Sequence, residues 1–179
     1  MKFLKEWAAV VSALESGDQC VILRKGGIME TASGFVTESS RFFLFPTWEH
    51  QDAARIRPEF IHHIRDIRKP RDGTNRITSY AEVIAEVDIP GSRDISVISS
   101  MHVWSDAYIR ERRDWLPSKP LKALLLRIFT IPAKEIPTSP QYAGCRSWID
   151  ITFDDIGGKP VLDDRQMQTK LHEFRRMIS

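Results

Sequence analysis

The segment FPTWEHQ, residues 45–51, presents a carboxylate, an imidazole and an amide directly after an apolar run. Glu49 or His50 could act as a general base, or could bind a metal ion with a third ligand from elsewhere in the chain. The same residues are also compatible with the exposed first turn of a helix, for which Thr47 is the expected N-cap after Pro46 ends the strand. The composition of this segment therefore leaves a functional site and a plain helix start both open.

A second polar segment, LRKGGIME, also follows an apolar run, and its Gly26-Gly27 pair predicts a turn. Its lysine could hold an anionic group. If the strands that precede the two segments are neighbours, their polar side chains emerge at one end of a sheet. The alternative is that the lysine only borders the turn. The candidate catalytic residues are Lys25, Glu30, Glu49 and His50.

The five histidines show no spacing typical of a metal-binding helix. His62 and His63 are adjacent, and on a helix they would point to different sides, so we expect that they cannot share a metal ion unaided. No cofactor is predicted, and a divalent metal ion is expected only if the protein is an enzyme.

Basic residues form two clusters that could contact phosphates. Residues 55–76 contain seven bases against three acids, and the second cluster is interleaved with Trp104, Tyr108 and Trp115, which could stack on bases. A solvated helix face is the alternative explanation of such a charge pattern. The candidate nucleic-acid-binding residues are Arg55, Arg57, Arg65, Arg68, Arg110, Arg112 and Arg113.

Several catalytic signatures are absent from the sequence. It has no Walker phosphate loop, no G-x-G-x-x-G and no G-x-S-x-G motif. No lysine stands two residues after an acid, so the D/E-x-K core of many metal-dependent nucleases is also missing, and Glu49–Gln51 is only an E-x-Q variant. These absences favour a binding protein over a nuclease.

The composition is that of one soluble domain. The chain has 179 residues, of which 42% are hydrophobic, and its net charge of +2 is too small to indicate nucleic acid by itself. Cys20 and Cys145 are the only cysteines, and no signal peptide or membrane-spanning run is visible. The sequence therefore predicts a cytoplasmic protein that does not enter a membrane, and it leaves the oligomeric state open.

The hydrophobic pattern predicts an α+β fold in a single domain, with a mixed or antiparallel sheet, compatible with a barrel-like curl, and helices packed on it. Residues 69–76 are polar and predict an exposed loop. Strands are predicted at residues 19–25, 41–45, 77–90 (with a bulge), 121–131 (the central strand) and 147–152. Helices are predicted at residues 3–14 (ended by Gly17), 58–67, 105–115 (capped by Ser105 or Asp106) and 163–178.

Four stretches of the sequence, EWAAVVSALESGDQCVILRKGGI, FFLFPTWEHQ, HVW…RRDWLPSKPLKALLLRIFTIP and GCRSWIDI, together resemble a bacterial and archaeal family known as domain of unknown function 1802. The resemblance covers residues 4–152 and implies no activity. A fainter similarity, in YAEVIAEVDI and LKALLLRIFTI, is to PUA-like domains of the ASCH type, which are small β-barrels associated with RNA. Lys25 and Glu30 only approximate the G-x-K-x-x-E-x-R signature of those domains.

Two functional hypotheses therefore remain at the level of sequence. The first is a nucleic-acid-associated binding domain, for RNA or DNA, that uses the arginine clusters. The second is a metal-dependent phosphodiesterase or nuclease-like enzyme built around the lysine, glutamate and histidine candidates. The missing lysine motif favours the first.

Overall fold

The computed structural model describes residues 1–25, 34–90, 95–144 and 146–178. The Gly26-Gly27 turn, the candidate residue Glu30 and Cys145 lie outside these described residues. No helix within the described ranges is both long and apolar enough to cross a lipid bilayer.

The fold is α+β, as the sequence predicted, and the described residues form one seven-stranded mixed sheet. The strands are β1 (Lys2–Trp7), β2 (Val21–Arg24), β3 (Arg41–Thr47), β4 (Thr74–Ile89), β5 (Leu121–Pro137), β6 (Trp148–Asp150) and β7 (Lys159–Pro160). They follow the order β2-β5-β4-β3-β1-β6, and β7 pairs with β5 off this path. Most neighbouring strands are antiparallel, whereas β1 and β3 are parallel. The sheet is not closed into a barrel.

In the described part of the chain, four α-helices and several short 3-10 turns connect or cover the strands. The α-helices are α1 (Ala8–Ser16), α2 (His62–Arg65), α3 (Asp106–Asp114) and α4 (Asp164–Ile178). The 3-10 turns are Ala53–Arg55, Pro58–Phe60, Ser96–Met101 and Pro140–Tyr142. Ser105 caps α3 by accepting a hydrogen bond from the Tyr108 N–H, as the sequence predicted.

The first predicted helix is wrong over its first five residues. Phe3 to Trp7 belong to β1, which pairs with β3 on one side and β6 on the other, and the helix begins only at Ala8. The two ladders satisfy the backbone of β1, and this tertiary pairing overrides the local helical spacing. The predicted end is confirmed, because Gly17 follows α1 with a φ of 86°.

The two faces of the sheet bury different hydrophobic clusters. The larger cluster lies under the helices and includes Leu4 and Phe42, together with Met167 and Phe174 of α4. The smaller cluster covers the opposite face and includes Phe3. Since Phe3 and Leu4 are consecutive, their assignment to different clusters follows from the two-residue period of a strand.

The interior strands β4 and β5 form the longest ladder of the sheet. β5 lies between β2 and β4, which confirms the predicted central strand, and the predicted bulge in β4 appears as register shifts near Ile77 and Val83. β4 begins at Thr74, within the segment for which a loop was expected, and Asn75 is buried there. Its side-chain amide donates to the Pro46 carbonyl at 2.9 Å.

The strands formed by residues 19–25 and 41–45 are not neighbours, so the condition for bringing the two polar segments to one sheet end through this pairing is not met. β2 pairs with β5, whereas β3 lies between β4 and β1. β2 and β6 are therefore the two ends of the sheet path. They approach each other through side chains, because Arg24 donates from Nη2 to the Ser147 hydroxyl at 2.7 Å, immediately before β6. This side-chain contact links the two end strands without a backbone ladder.

Candidate functional site

The parallel pair of β1 and β3 positions a cleft at its carboxyl end. Trp7 and Thr47, the last residues of the two strands, are register partners. β6 runs antiparallel to β1, so the residues just before β6 reach the same end of the sheet. α3 supplies the opposite wall. The cleft between these elements has a volume of about 460 Å³.

Some polar residues of the segment FPTWEHQ have structural roles, and others line the cleft. Pro46 is buried within β3 and does not end the strand, and Thr47 donates to the Glu6 carbonyl at 3.0 Å instead of capping a helix. The cap predicted for Thr47 belongs to Asp52, whose side chain accepts from the Ala54 N–H. The Gln51 side-chain oxygen accepts from the Ala9 N–H at 2.8 Å, which satisfies a free donor at the start of α1.

Glu49 and His50 are exposed at the rim of the cleft. His50 adopts a φ of 62°, in the left-handed region that few residues other than glycine occupy. Trp48, which precedes them, is half-buried, and its indole N–H finds no acceptor among the described residues. The turn therefore places the two candidate side chains at the cleft.

Lys25 does not join Glu49 and His50. Its side chain is buried, and its amino group donates to the Arg113 carbonyl at the end of α3. Burial lowers the pKa of Lys25, and the nearby Arg112 and Arg113 lower it further against the opposing effect of Asp114. The structure thus places this lysine as a contact between the end of β2 and α3, outside the lining of the cleft.

The strand side of the cleft carries an ion pair, Glu6 and Arg24, which also makes hydrogen bonds to neighbouring residues. The Glu6 side chain is 7% exposed and lies 3.1 Å from the guanidinium of Arg24. Its other oxygen accepts from the Trp7 N–H at 2.8 Å. Arg24 also donates to Ser147 and packs over the Phe35 ring at 5.2 Å. Both oxygens of Glu6 and both terminal nitrogens of Arg24 therefore have partners within the protein.

The α3 side of the cleft is aromatic. The Trp7 and Trp104 rings meet edge to face at 5.1 Å, and Tyr108 lies 4.7 Å from Trp104 and 6.1 Å from Trp7. Trp115 lines the cleft beyond them. Burial raises the pKa of Tyr108, an effect that the nearby Arg112 opposes, so its hydroxyl stays protonated at neutral pH. This surface offers flat apolar rings with a neutral hydrogen-bonding group.

Two arginines at the cleft form no ion pair within the described part of the chain. Arg112 lies over the Trp115 ring at 5.1 Å, and Arg146 is exposed just before β6. Arg112 was among the predicted nucleic-acid contacts, whereas Arg146 was missed, because it is isolated in the sequence and only β6 brings it to the cleft. Trp7 was also missed, because the sequence pattern assigned it to a helix face and only the pairing of β1 places it at the cleft.

The other predicted arginines are distributed over different environments. Arg55 pairs with Asp52 and Glu111, Arg57 donates to the carbonyls of Ser99 and His102, and Arg65 pairs with Asp66 at 2.8 Å. Arg68 lines a small separate cavity, Arg110 is exposed on α3, and Arg113 is half-buried beside Lys25. Of the seven, Arg112 is the one that lines the cleft.

A second cavity of about 310 Å³ adjoins the cleft. The two share Lys5, Thr47 and Glu49 in their linings, so they adjoin at the strand ends, and we refer to them together as the groove. Lys5 is held at this junction by hydrogen bonds to the carbonyls of Tyr142 and Gly144. Lys69 and Arg71 line the far part of the groove, where both side chains are exposed.

The chain belongs to the family described as Domain of unknown function (DUF1802), whose model matches residues 3–173. This confirms the family that the sequence motifs indicated. Among curated proteins, no sequence matches the chain.

Solved structures similar to this chain include crystal structures of ASCH from Zymomonas mobilis. One of these structures is 17% identical over 70% of this chain and 66% of that chain, with a TM-score of 0.40, so the match spans just under two thirds of that protein. A mutant form of the same protein is 14% identical over 96% of each chain, with a TM-score of 0.48.

Proposed function

We propose that this member of the DUF1802 family binds single-stranded nucleic acid in the groove at the carboxyl ends of β1 and β3. The observation that carries the proposal is the combination of a cleft wall of three tryptophans and a tyrosine with two arginines that have no ion-pair partner in the described chain. Aromatic rings beside unpaired cations are the common arrangement of surfaces that bind single strands.

The aromatic wall suits unpaired bases. A base has a flat π-face that stacks on tryptophan or tyrosine whatever its sequence, and each such contact contributes about 1–3 kcal/mol. Bases within a duplex are already stacked on each other, so a wall of this kind selects for single strands. Trp115 is half-buried and lies beneath Arg112, an arginine without an ion-pair partner in the described chain, which makes it the best candidate for the main stacking contact.

The basic side chains of the groove are suited to the phosphate backbone of a nucleic-acid strand. Arg112 and Arg146 lie at the cleft, and Lys69 and Arg71 line the adjoining cavity. A nucleic-acid strand that stacks one base on the aromatic wall could therefore continue into the adjoining cavity, with its phosphates near Lys69 and Arg71. A groove of two adjoining cavities favours a polymer over a single small ligand, which would fill only one of them.

The enzyme hypothesis receives less support from the same geometry. Glu49 and His50 lie at the cleft, but the amino group of Lys25 is engaged by the Arg113 carbonyl, and Glu30 lies outside the described residues. The exposed Glu49 also lines the groove between the cations, where it would repel a phosphate that passed too close. We therefore assign Glu49 and His50 to the rim of the binding groove.

Fluorescence anisotropy with labelled 12-nucleotide RNA and DNA strands tests the proposal. Trp115→Ala is expected to weaken binding by about 1–3 kcal/mol. Arg112→Ala is expected to weaken it as well, and to reduce the salt slope of the binding constant by about 0.7, which is the value for one lost phosphate contact on a single strand. Arg65→Ala is the matched control, because it removes the same charge from a residue that lines none of the described cavities.

Equal losses from Arg112→Ala and Arg65→Ala would show that binding follows total charge and not the groove. Tighter binding of a duplex than of a single strand of the same sequence would contradict the stacking role of the aromatic wall. The comparison of RNA with DNA then establishes which nucleic acid the groove prefers.

A further inference from the structure

A cluster of two histidines and an aspartate lies where α2 packs against the end of α1, away from the groove. The carboxylate of Asp18, just after α1, lies 3.0 Å from Nε2 of His63 and 3.9 Å from Nε2 of His62. The centres of the two imidazole rings are 4.1 Å apart. The expectation that these adjacent histidines point to different sides is therefore wrong: α2 is a single turn, and both rings face the same carboxylate.

The spacing of these groups matches the needs of a metal ion. One ligand atom from each of the three residues can be chosen so that all lie within 4.8 Å of one another. In a tetrahedral zinc site with bonds of about 2.0–2.2 Å, the ligand atoms are separated by about 3.3–3.6 Å. The Asp18 oxygen lies 3.0 Å and 3.9 Å from the two Nε2 atoms, on either side of this value, and the ring of His62 is partly exposed.

Two serines of α1 hold the ligands in place. The hydroxyl of Ser12 lies 2.9 Å from Nδ1 of His63, and the hydroxyl of Ser16 donates to the Asp18 carboxylate at 2.9 Å. Metal-binding histidines commonly donate their second ring N–H to such a partner, which fixes the tautomer and leaves the other nitrogen free for the metal. When Nδ1 of His63 donates to Ser12, the lone pair of Nε2 faces Asp18.

A plain hydrogen bond between Asp18 and His63 would explain one of these contacts but not the second histidine. His62 brings another imidazole to the same carboxylate oxygen, and two protonated rings at this distance would repel each other. A divalent cation bound between the three groups balances the charge of the Asp18 carboxylate and leaves both imidazole rings neutral.

We propose that Asp18, His62 and His63 bind a divalent transition-metal ion, with Zn²⁺ as the preferred ion. Imidazole and carboxylate ligands suit zinc, and three protein ligands leave a fourth position for water. Bound there, the ion joins the end of α1 to α2 and stabilises the packing of these two helices.

The test uses the untagged full chain after dialysis against a chelator. Zn²⁺ is titrated against a chromophoric competitor, and melting temperatures are recorded with and without the ion. One ion per chain and a raised melting temperature are expected. His62→Ala removes a partly exposed ligand and should weaken binding by about 100-fold or more, since loss of a supporting group alone costs about 10–100-fold. The melting temperature of the metal-free variant should equal that of the parent.

Ser12→Ala keeps all three ligands and should weaken zinc by roughly 10-fold or more, because His63 loses the partner that orients its ring. His172→Ala, on the exposed face of α4, is the matched control and should bind as the parent does. Binding of Co²⁺ should give the visible absorption of a tetrahedral site, and His62→Ala should abolish it. Absence of stoichiometric binding, or equal affinity in His62→Ala and His172→Ala, would overturn the proposal.

Discussion

The two walls of the cleft contain similar residue types but use them differently. On the strand side, the guanidinium of Arg24 is held by Glu6 and Ser147. On the α3 side, Arg112 packs over Trp115 and forms no ion pair in the described chain. One arginine is therefore part of the fold, and the other has no ion-pair partner in the described chain.

This difference shows why residue type alone does not identify a binding residue. A guanidinium is equally suited to a phosphate and to a carboxylate of the same protein. Which of the two it meets depends on the strand order, since β2 and β6 are the ends of the sheet path and Arg24 links them. The strand wall should thus respond to mutation through stability, and the α3 wall through binding.

The largest effect is expected from Arg24→Ala. Removing this guanidinium leaves the carboxylate of Glu6, which is 7% exposed, without its countercharge and also breaks the link to Ser147. We expect a loss of about 3 kcal/mol in the free energy of unfolding, as for other broken pairs with a buried partner. Urea denaturation followed by tryptophan fluorescence measures it.

Arg112→Ala is the matched control for that measurement, because it removes the same group from the opposite wall. Its unfolding free energy should change by less than about 0.5 kcal/mol. Equal destabilisation by the two substitutions would remove the distinction between the walls.

A loss of stability of similar size is expected at low pH, because a buried histidine lies two residues before Trp104 of the α3 wall. His102 is buried, and burial and the neighbouring Arg57, against the opposing effect of Asp106, lower the pKa of its imidazole to about 4. The unfolded chain binds this proton near pH 6.5, so the folded state loses stability as the pH falls from 6.5 towards 4. The loss attributable to His102 is about 3 kcal/mol.

Urea denaturation at pH 7 and pH 4 measures this loss in the parent and in His102→Gln. The parent should lose about 3 kcal/mol more than the variant between the two pH values. An identical pH dependence in both proteins would contradict the assignment to His102. Ionic groups elsewhere titrate in both proteins and cancel in the comparison.

A smaller effect is expected from Gln51→Ala, which tests the structural part of FPTWEHQ. Without the Gln51 oxygen, the Ala9 N–H at the start of α1 loses its acceptor. We expect a loss of about 1 kcal/mol, typical of a removed helix cap. Glu49→Ala, two residues earlier and exposed, should change stability by less than about 0.5 kcal/mol. Comparable losses in both variants would mean that the turn acts as one unit.

Much of the fold could be predicted because hydrophobic runs mark the strands. The central strand β5, the bulge in β4 and the Ser105 cap each follow from a local pattern. β1 could not be identified in this way, because the partners that make Phe3–Trp7 a strand lie about 40 and 145 residues further along the chain. The candidate site shows the same limit. Glu49, His50 and Arg112 were found by residue type, whereas Trp7 and Arg146 reach the cleft only through long-range pairing.

The most direct test of the central claim is to locate the bound strand by photo-cross-linking. An oligonucleotide that carries 5-iodouracil is irradiated with the full chain, and the modified peptides are identified by mass spectrometry. The account predicts cross-links to aromatic residues of the cleft, with Trp115 the main site and Trp7 or Tyr108 next. Trp115→Ala should remove the main product. Cross-links confined to α2 or α4, or none at concentrations at which the strand binds, would contradict the account.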